Sequence, residues 1–521
     1  MGTPIINSDS VPSELYQTSA WKYKGEGNAN IILTYIGELD DFKSTVIRLR
    51  KSEEKEKEDS LKINNQTDSG VSSNKEDEHQ DDSMQTSSVN PQAFTVSYIQ
   101  GVIAPLIGAE YTSESKLLQI TPAFLQALSR SIFSHRTPDR VHKNIDFTQR
   151  YAILSPDYTK FRSNNKQQES PINAISIEIK PKWAFIPTST NIAASNLVKR
   201  ETCRYCMHQY YKHKKTQKHI IIDKQRTTIV TDYCPLDLFS LKKDRLRRAI
   251  GALISTPMNN FKLFVDGSSV DLAKITENLI TLLTATILKE HNLFSRLKHL
   301  QKTLDELDIE GIMKLLSSQT SSSSSYTRLF VAEPSLEEWR TAALRYLERT
   351  ERRTDGGTLQ SSNSYDNSGS SIEKQPIDEA EIKQRILEFL LSTTFKDCSI
   401  IFTFQKTSLA ELSTNNDNDI TFFPEQVKYI SIPFSPNIKK HNSGNNSNQE
   451  HHQYYKYKTV ILDLDPKSIL KLDYYYDLDV KIVRNFLEYA EKELGVEDDD
   501  NGEPNNNSHV FLGANKRKCF E

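Results

Sequence analysis

Residues 174–183 read Ala-Ile-Ser-Ile-Glu-Ile-Lys-Pro-Lys-Trp, and this stretch constrains the fold more tightly than any other. Ile175, Ile177 and Ile179 alternate with Ser176, Glu178 and Lys180, the two-residue period of a strand with one apolar face. Glu178 and Lys180 share the opposite face. Pro181 has no N–H to give to a ladder, so pairing should stop there and deliver Lys182 just past the strand end. One carboxylate and two ammonium groups on so short an element suit phosphates. The same pattern also fits an edge strand with a solvated charged face.

A chain of 521 residues has room for two domains. Its hydrophobic fraction is only 36%, and a few polar segments account for the deficit. About 52–92, 318–326, 352–377, 436–453 and a tail from 496 to 521 hold few large apolar groups and read as disordered insertions, which loops accept cheaply. Between them, Trp21–Lys24, Ile31–Tyr35, Thr45–Arg50 and Tyr151–Leu154 read as strands, with helical spacing over Tyr98–Ile107 and Thr121–Phe133. Further on, Leu241–Ile254, 271–300, 304–316, 336–350, 378–395 and Val480–Glu493 read as helices, and Ser399–Phe404 and Thr459–Leu464 as strands. The expected class is α+β and two-lobed: a small strand-rich lobe over 1–156, a hinge at Ser155-Pro156-Asp157, and a larger mixed lobe over 157–495.

The net charge of −3 conceals an uneven distribution. Residues 199–218 hold seven Lys or Arg against one Glu, and 242–248 hold five against one Asp. Such clusters raise local positive potential whatever the overall balance, so an anionic ligand is expected. Five cysteines point to a reducing compartment rather than a disulfide scaffold. With no apolar leader and no run long enough to cross a bilayer, a membrane role is not expected. Asn515-Lys516-Arg517-Lys518 is a short nuclear-import candidate.

Four further groups could carry chemistry. Gly25-Glu26-Gly27-Asn28-Ala29-Asn30 lies between two strands and lacks the third glycine and following helix of a dinucleotide site. A glycine turn between paired strands can instead lay backbone N–H groups over phosphates, or simply close a hairpin. Arg48 and Arg50 then share a strand face. Asp463 and Asp465 end an apolar strand two residues apart, as hard oxygen ligands for Mg2+ would, or form an acidic turn. Lys467, Lys471 and Tyr475 follow at intervals of four, near one helical face. Asp397, before another apolar strand, is placed to act as a general base, or is one of the single aspartates common in turns. Cys203-x-x-Cys206 with His208, His213 and Cys234 has a poorly spaced second pair for a four-ligand zinc site.

Together these residues resemble the inositol-pentakisphosphate 2-kinases, whose hallmark Glu-x-Lys-Pro-Lys appears here as Glu178 to Lys182. The resemblance extends, in order, over Gly25–Asn30, Val46–Lys51, Tyr98–Gly108, Arg204–Lys212, Tyr233–Phe239, Thr256–Phe264, Asp397–Phe402 and Asp463–Tyr475. It implies transfer of the ATP γ-phosphate to the axial 2-hydroxyl of inositol 1,3,4,5,6-pentakisphosphate. By similarity, Gly27, Asn28, Ala29, Asn30 and Arg48 would serve the ATP phosphates, with Asp157, Glu178, Lys262 and Asp463 also on the nucleotide side. Lys180 would lie between ATP and inositol phosphate and act in catalysis with Asp397, the base. Arg140, Lys182, Lys212, Asn259, Lys467, Lys471 and Tyr475 would hold substrate phosphates, and Asp463, with Asp465 as a second candidate, would hold Mg2+.

The resemblance also implies a monomer working in the nucleus, with the cytoplasm as a second location. Lys471 and Lys262 stand where plant relatives carry arginine, which keeps charge but loses the bidentate fork. Plant relatives also carry a Cys/His zinc site in an insertion without a counterpart here, so zinc is not expected. Three rival readings are a non-catalytic inositol-phosphate sensor, a kinase of another inositol polyphosphate, and a nucleic-acid binder. No nucleic-acid module supports the last.

Overall fold

The computed structural model describes residues 5–6, 12–52, 90–161, 174–220, 231–317, 329–330, 332–354, 378–409, 423, 426–434, 451–494 and 519. The segments expected to be insertions, the Asn515–Lys518 run and the side chain of His213 lie largely or wholly outside them. Two compact units emerge: Met1–Val96 with Glu114–Asp157, and Ser97–Ser113 with Tyr158–Glu521. The segment Ser97–Ser113, read from sequence as part of the first lobe, belongs to the second unit.

The first unit is built on a six-stranded sheet in the order β1-β5-β6-β4-β3-β2. Its strands are β1 (Ile5–Ile6), β2 (Trp21–Glu26), β3 (Asn30–Tyr35), β4 (Thr45–Arg50), β5 (Lys116–Gln119) and β6 (Tyr151–Pro156). All pairings are antiparallel except β1 with β5. Alternation explains the layer: Ile31, Leu33 and Tyr35 of β3, and Ile47 and Leu49 of β4, are buried while their neighbours are not. The helix Pro122–Ile132 is capped by Thr121, whose hydroxyl accepts from the Phe124 N–H.

The second unit holds another six-stranded sheet, in the order β11-β12-β10-β7-β8-β9 and antiparallel throughout. These strands are β7 (Ile175–Ile179), β8 (Phe261–Val265), β9 (Ser268–Val270), β10 (Ser399–Thr407), β11 (Lys428–Phe434) and β12 (His451–Leu462). The Glu-x-Lys-Pro-Lys strand β7 is central, between β10 and β8, so the edge-strand reading does not hold. Ser176, expected on a solvated face, is buried and lies 3.0 Å from the Thr403 hydroxyl of β10. Helices including Glu277–Lys289, His291–Thr303, Leu336–Thr354 and Glu379–Lys396 supply the apolar core.

Candidate active site

Strand direction assembles the site. In the antiparallel register Ser399 of β10 faces Leu462 of β12, and Ile400 faces Ile179 of β7. Ile179 in turn faces Phe261 of β8. One end of the sheet therefore gathers Asp463 after β12, Asp397 before β10, Lys180 after β7 and the Pro257–Asn260 turn before β8. The Lys180 N–H donates to the Asn260 carbonyl (2.9 Å), which extends β7 pairing by one residue and sets Asn259 beside it.

Ion pairs link these ends. The Lys180 ammonium donates to Asp463 Oδ2 (2.8 Å), and the Ser399 hydroxyl lies within reach of both Asp463 Oδ2 (2.8 Å) and Glu178 Oε1 (3.1 Å). Lys262, opposite Glu178 in the β7–β8 register, donates to Glu178 Oε2 (3.1 Å). Asp397 sits between two cations: Lys182 donates to Oδ1 (3.3 Å) and Lys467 to Oδ2 (3.0 Å). The Asp397 carboxylate is 56% exposed, so an entering substrate can reach it.

Asp397 caps the C-terminus of helix Glu379–Lys396, where the helix dipole disfavours a carboxylate. Partial burial also works to raise its pKa, but the Lys467 and Lys182 charges outweigh it and hold the carboxyl below its ordinary value. It is thus ionised and able to accept a proton. Burial works to lower the pKa of Lys180, whereas the Asp463 charge and hydrogen bond, with Glu178 and Asp397, raise it. Lys212 is different: burial and then Lys182 push its pKa down. Burial, Lys212, Arg204 and Lys182 together take His208 down to about 3. Mutually repelling cations on one wall mark a place where bound anions would relieve the strain. Burial and the Asp397 charge push the Tyr475 phenol up to about 12.

Several expected residues take other positions. The strand stops at Leu462, and Asp463 adopts a left-handed backbone (φ 61°). Asp463 and Asp465 therefore lie beyond the strand, and its alternation does not aim them together. Asp463 is 55% exposed, whereas Asp465 keeps its Oδ1 buried. As an exposed hard oxygen donor, Asp463 fits Mg2+ better than Asp465 does. Lys467 and Lys471 precede the helix Leu472–Leu494, with Lys471 ending a short turn Ile469–Lys471; only Tyr475 is on the helix.

In the first unit, Gly27, Asn28 and Ala29 form the tip between β2 and β3, closed by the Gly27 N–H donating to the Asn30 carbonyl (2.9 Å). A Cβ at Gly25 or Gly27 would meet nothing within 4 Å, so the hairpin backbone is open to a ligand. Glu26 anchors it from beneath, accepting from Arg136 (2.9 and 2.8 Å) and pairing with Lys51. Arg140 donates to Asn28 Oδ1, so it groups with the hairpin residues. With its amide oxygen facing Arg48, Asn30 accepts from Nε (3.2 Å) and Nη2 (2.8 Å) of that guanidinium. Asp157 is buried and accepts twice from Lys24 (2.7 Å each).

Sequence reasoning missed three supports. Gln301 is wholly buried and donates to the carbonyls of Lys182 (3.1 Å) and Phe395 (2.9 Å), while its Oε1 accepts from the Ala184 N–H (2.8 Å). It thereby holds Lys182, which has a left-handed backbone (φ 64°), against the helix that carries Asp397. Tyr233 donates its hydroxyl to the Pro181 carbonyl (2.8 Å). Ser399 bridges Glu178 and Asp463 as described. The cysteines also differ from expectation. Cys203 and Cys206 converge with Cys234 and Cys519, not with His208.

An α/β protein with alternating lysines and carboxylates at one sheet end belongs to the class that handles polyphosphate ligands. Residues 23–481 match the inositol-pentakisphosphate 2-kinase family, and the chain belongs to it. An inositol-pentakisphosphate 2-kinase of Arabidopsis thaliana is 26% identical, over 93% of this chain and 97% of its own length. The relative of that name from Cryptococcus neoformans is 23% identical over 75% of this chain and 83% of its own. One from Danio rerio is 27% identical over 48% and 44%.

Proposed function

We propose that this protein transfers the γ-phosphate of ATP to the axial 2-hydroxyl of inositol 1,3,4,5,6-pentakisphosphate, giving inositol hexakisphosphate, on a two-lobed kinase-like scaffold. The observation that carries the reading is Asp397 held between Lys182 and Lys467, with the Lys180–Asp463 pair alongside, in a member of this family.

Each substrate phosphate brings about −1.5 to −2 charge near neutral pH. Lys182 and Lys467 exchange part of their contact with Asp397 for substrate phosphates, aided by Lys212, Lys471, Asn259 and Tyr475. That exchange leaves the Asp397 carboxylate facing the 2-hydroxyl, whose proton it accepts as the oxygen attacks the γ-phosphorus and ADP departs. Lys180 meets phosphate from both ligands. Gly27–Asn30 and Arg48 would neutralise and orient the nucleotide phosphates, with Glu178 and Lys262 also on the nucleotide side, and Arg140, held at the hairpin by Asn28, would reach a substrate phosphate. Asp463 would hold Mg2+, which supplies charge neutralisation between the ATP phosphates. A nuclear location rests on the family resemblance and the Asn515–Lys518 run; a fluorescent fusion that stays out of the nucleus would remove it.

The test is to incubate purified protein with ATP, Mg2+ and a panel of inositol phosphates and separate the products. Hexakisphosphate formed from the pentakisphosphate supports the proposal. Binding without transfer would leave a sensor, and transfer to another isomer would make this a different inositol-phosphate kinase.

A further inference from the structure

Four cysteines from three distant parts of the chain meet at one point in the second unit. Cys203 immediately precedes the helix Arg204–Ile220 and Cys206 lies in its first turn. Cys234 opens the short helix Pro235–Leu238, and Cys519 comes from the C-terminal tail, 285 residues beyond Cys234. All four are free thiols. Their sulfurs all lie within 4.8 Å of one another, with Cys203–Cys234 and Cys234–Cys519 each at 3.9 Å.

Those distances are diagnostic. A disulfide needs sulfurs about 2.05 Å apart, so neither close pair is bonded. Tetrahedral zinc with Zn–S bonds of about 2.3 Å puts its four sulfurs about 3.8 Å from one another. The observed 3.9 Å therefore matches the edge of such a tetrahedron. The Cys206 N–H also points at Cys203 Sγ (3.4 Å), placing a donor dipole against a sulfur that would carry negative charge. Cys203 is fully buried and the other three are half-buried, which shields the group from solvent. Sulfurs this close enclose a single ion and leave no space for a multi-iron cluster. No water position remains in a four-thiolate shell, so the ion would be structural, not catalytic.

We propose that Cys203, Cys206, Cys234 and Cys519 bind one structural Zn2+. The site differs from the Cys/His insertion site attributed to plant relatives. Local spacing does not reveal it: the stretch near Cys203 offers histidines, while the fourth thiolate lies at Cys519. The ion would join three segments. One begins the helix that bears Lys212, and a second follows Tyr233, whose hydroxyl holds Pro181 between Lys180 and Lys182. The third is the tail. Zinc would thus brace the lysine wall without touching a ligand of the kinase reaction.

The experiment uses the full chain, purified without chelator, and elemental analysis by plasma mass spectrometry. About one zinc per chain is expected, with marked loss in C234S and in C519S. Cobalt exchanged into the wild type should give intense d–d bands and a thiolate-to-cobalt charge-transfer band. Folded wild-type protein without zinc, or with iron in its place, would overturn the proposal. Full zinc content in C519S, or disulfides among these residues by mass spectrometry, would do the same. If a variant fails to fold, the wild-type metal content and cobalt spectrum still decide. None of these readouts depends on kinase activity.

Discussion

Replacing Asp397 by alanine should move binding and turnover in opposite directions. Asp397 occupies two ammonium groups that we assign to substrate phosphates, at 3.3 Å from Lys182 and 3.0 Å from Lys467. The carboxylate is 56% exposed and the lysines about a fifth exposed, so solvent screening reduces each contact to about 0.5–1 kcal/mol. Removing both frees about 1–2 kcal/mol for substrate phosphates, equivalent to affinity roughly five- to thirtyfold tighter. Loss of a positioned general base typically costs 10²- to 10⁴-fold in rate. Titration calorimetry with pentakisphosphate, run beside steady-state kinetics, should therefore show D397A binding more tightly while turning over at least about a hundredfold more slowly. Turnover close to wild type would remove Asp397 as the base. Weaker binding would show that the carboxylate does not compete with substrate for Lys182 and Lys467.

Four other outcomes follow from the same geometry. Gln301→Leu strands three buried backbone partners at about 1–3 kcal/mol each, so urea melts should show a loss of several kcal/mol; a loss under 1 kcal/mol would deny its bracing role. Lys180→Met should lower kcat and raise the KM for both substrates, whereas Lys182→Ala should mainly raise the pentakisphosphate KM; indistinguishable kinetics would undo that division. Lys467→Ala removes a cation that favours ionised Asp397, so the carboxyl midpoint in carbon-13 NMR should rise, and a fixed midpoint would contradict the assigned cause. Lys199 is buried against Asp308 (2.5 Å), Glu310 (3.1 Å) and Asp479 (2.8 Å). Lys199→Met would leave those carboxylates underpaired, at a cost of about 3–5 kcal/mol, and near-native stability would refute that accounting.

Local patterns made part of this legible. Period-two alternation located β7, short strand-like runs located β3, β4 and the wholly apolar start of β10, and period 3.6 located most helices, because each depends only on residues close in sequence. The apolar Val460–Leu462 run announced β12, but not that a left-handed Asp463 would end it before both aspartates. β8 reads Phe-Lys-Leu-Phe-Val after a Pro-Met-Asn-Asn turn, and its apolar Leu-Phe-Val end breaks the alternation, so it did not stand out, although it places Lys262 opposite Glu178. Gln301 looks like any helical glutamine until the Lys182 carbonyl is seen to reach it. Cys519 gives no local signal at all. Contacts that close over a hundred residues or more are decided by topology, and periodicity does not encode them.

The proposed reaction is defined by which oxygen receives the phosphate. Carbon-13-labelled inositol 1,3,4,5,6-pentakisphosphate, treated with ATP, Mg2+ and the purified full chain, allows NMR to assign the phosphorylated carbon. New phosphorus coupling is expected at the axial C2, with inositol hexakisphosphate as product. An unmodified C2 after prolonged incubation with folded protein would contradict it.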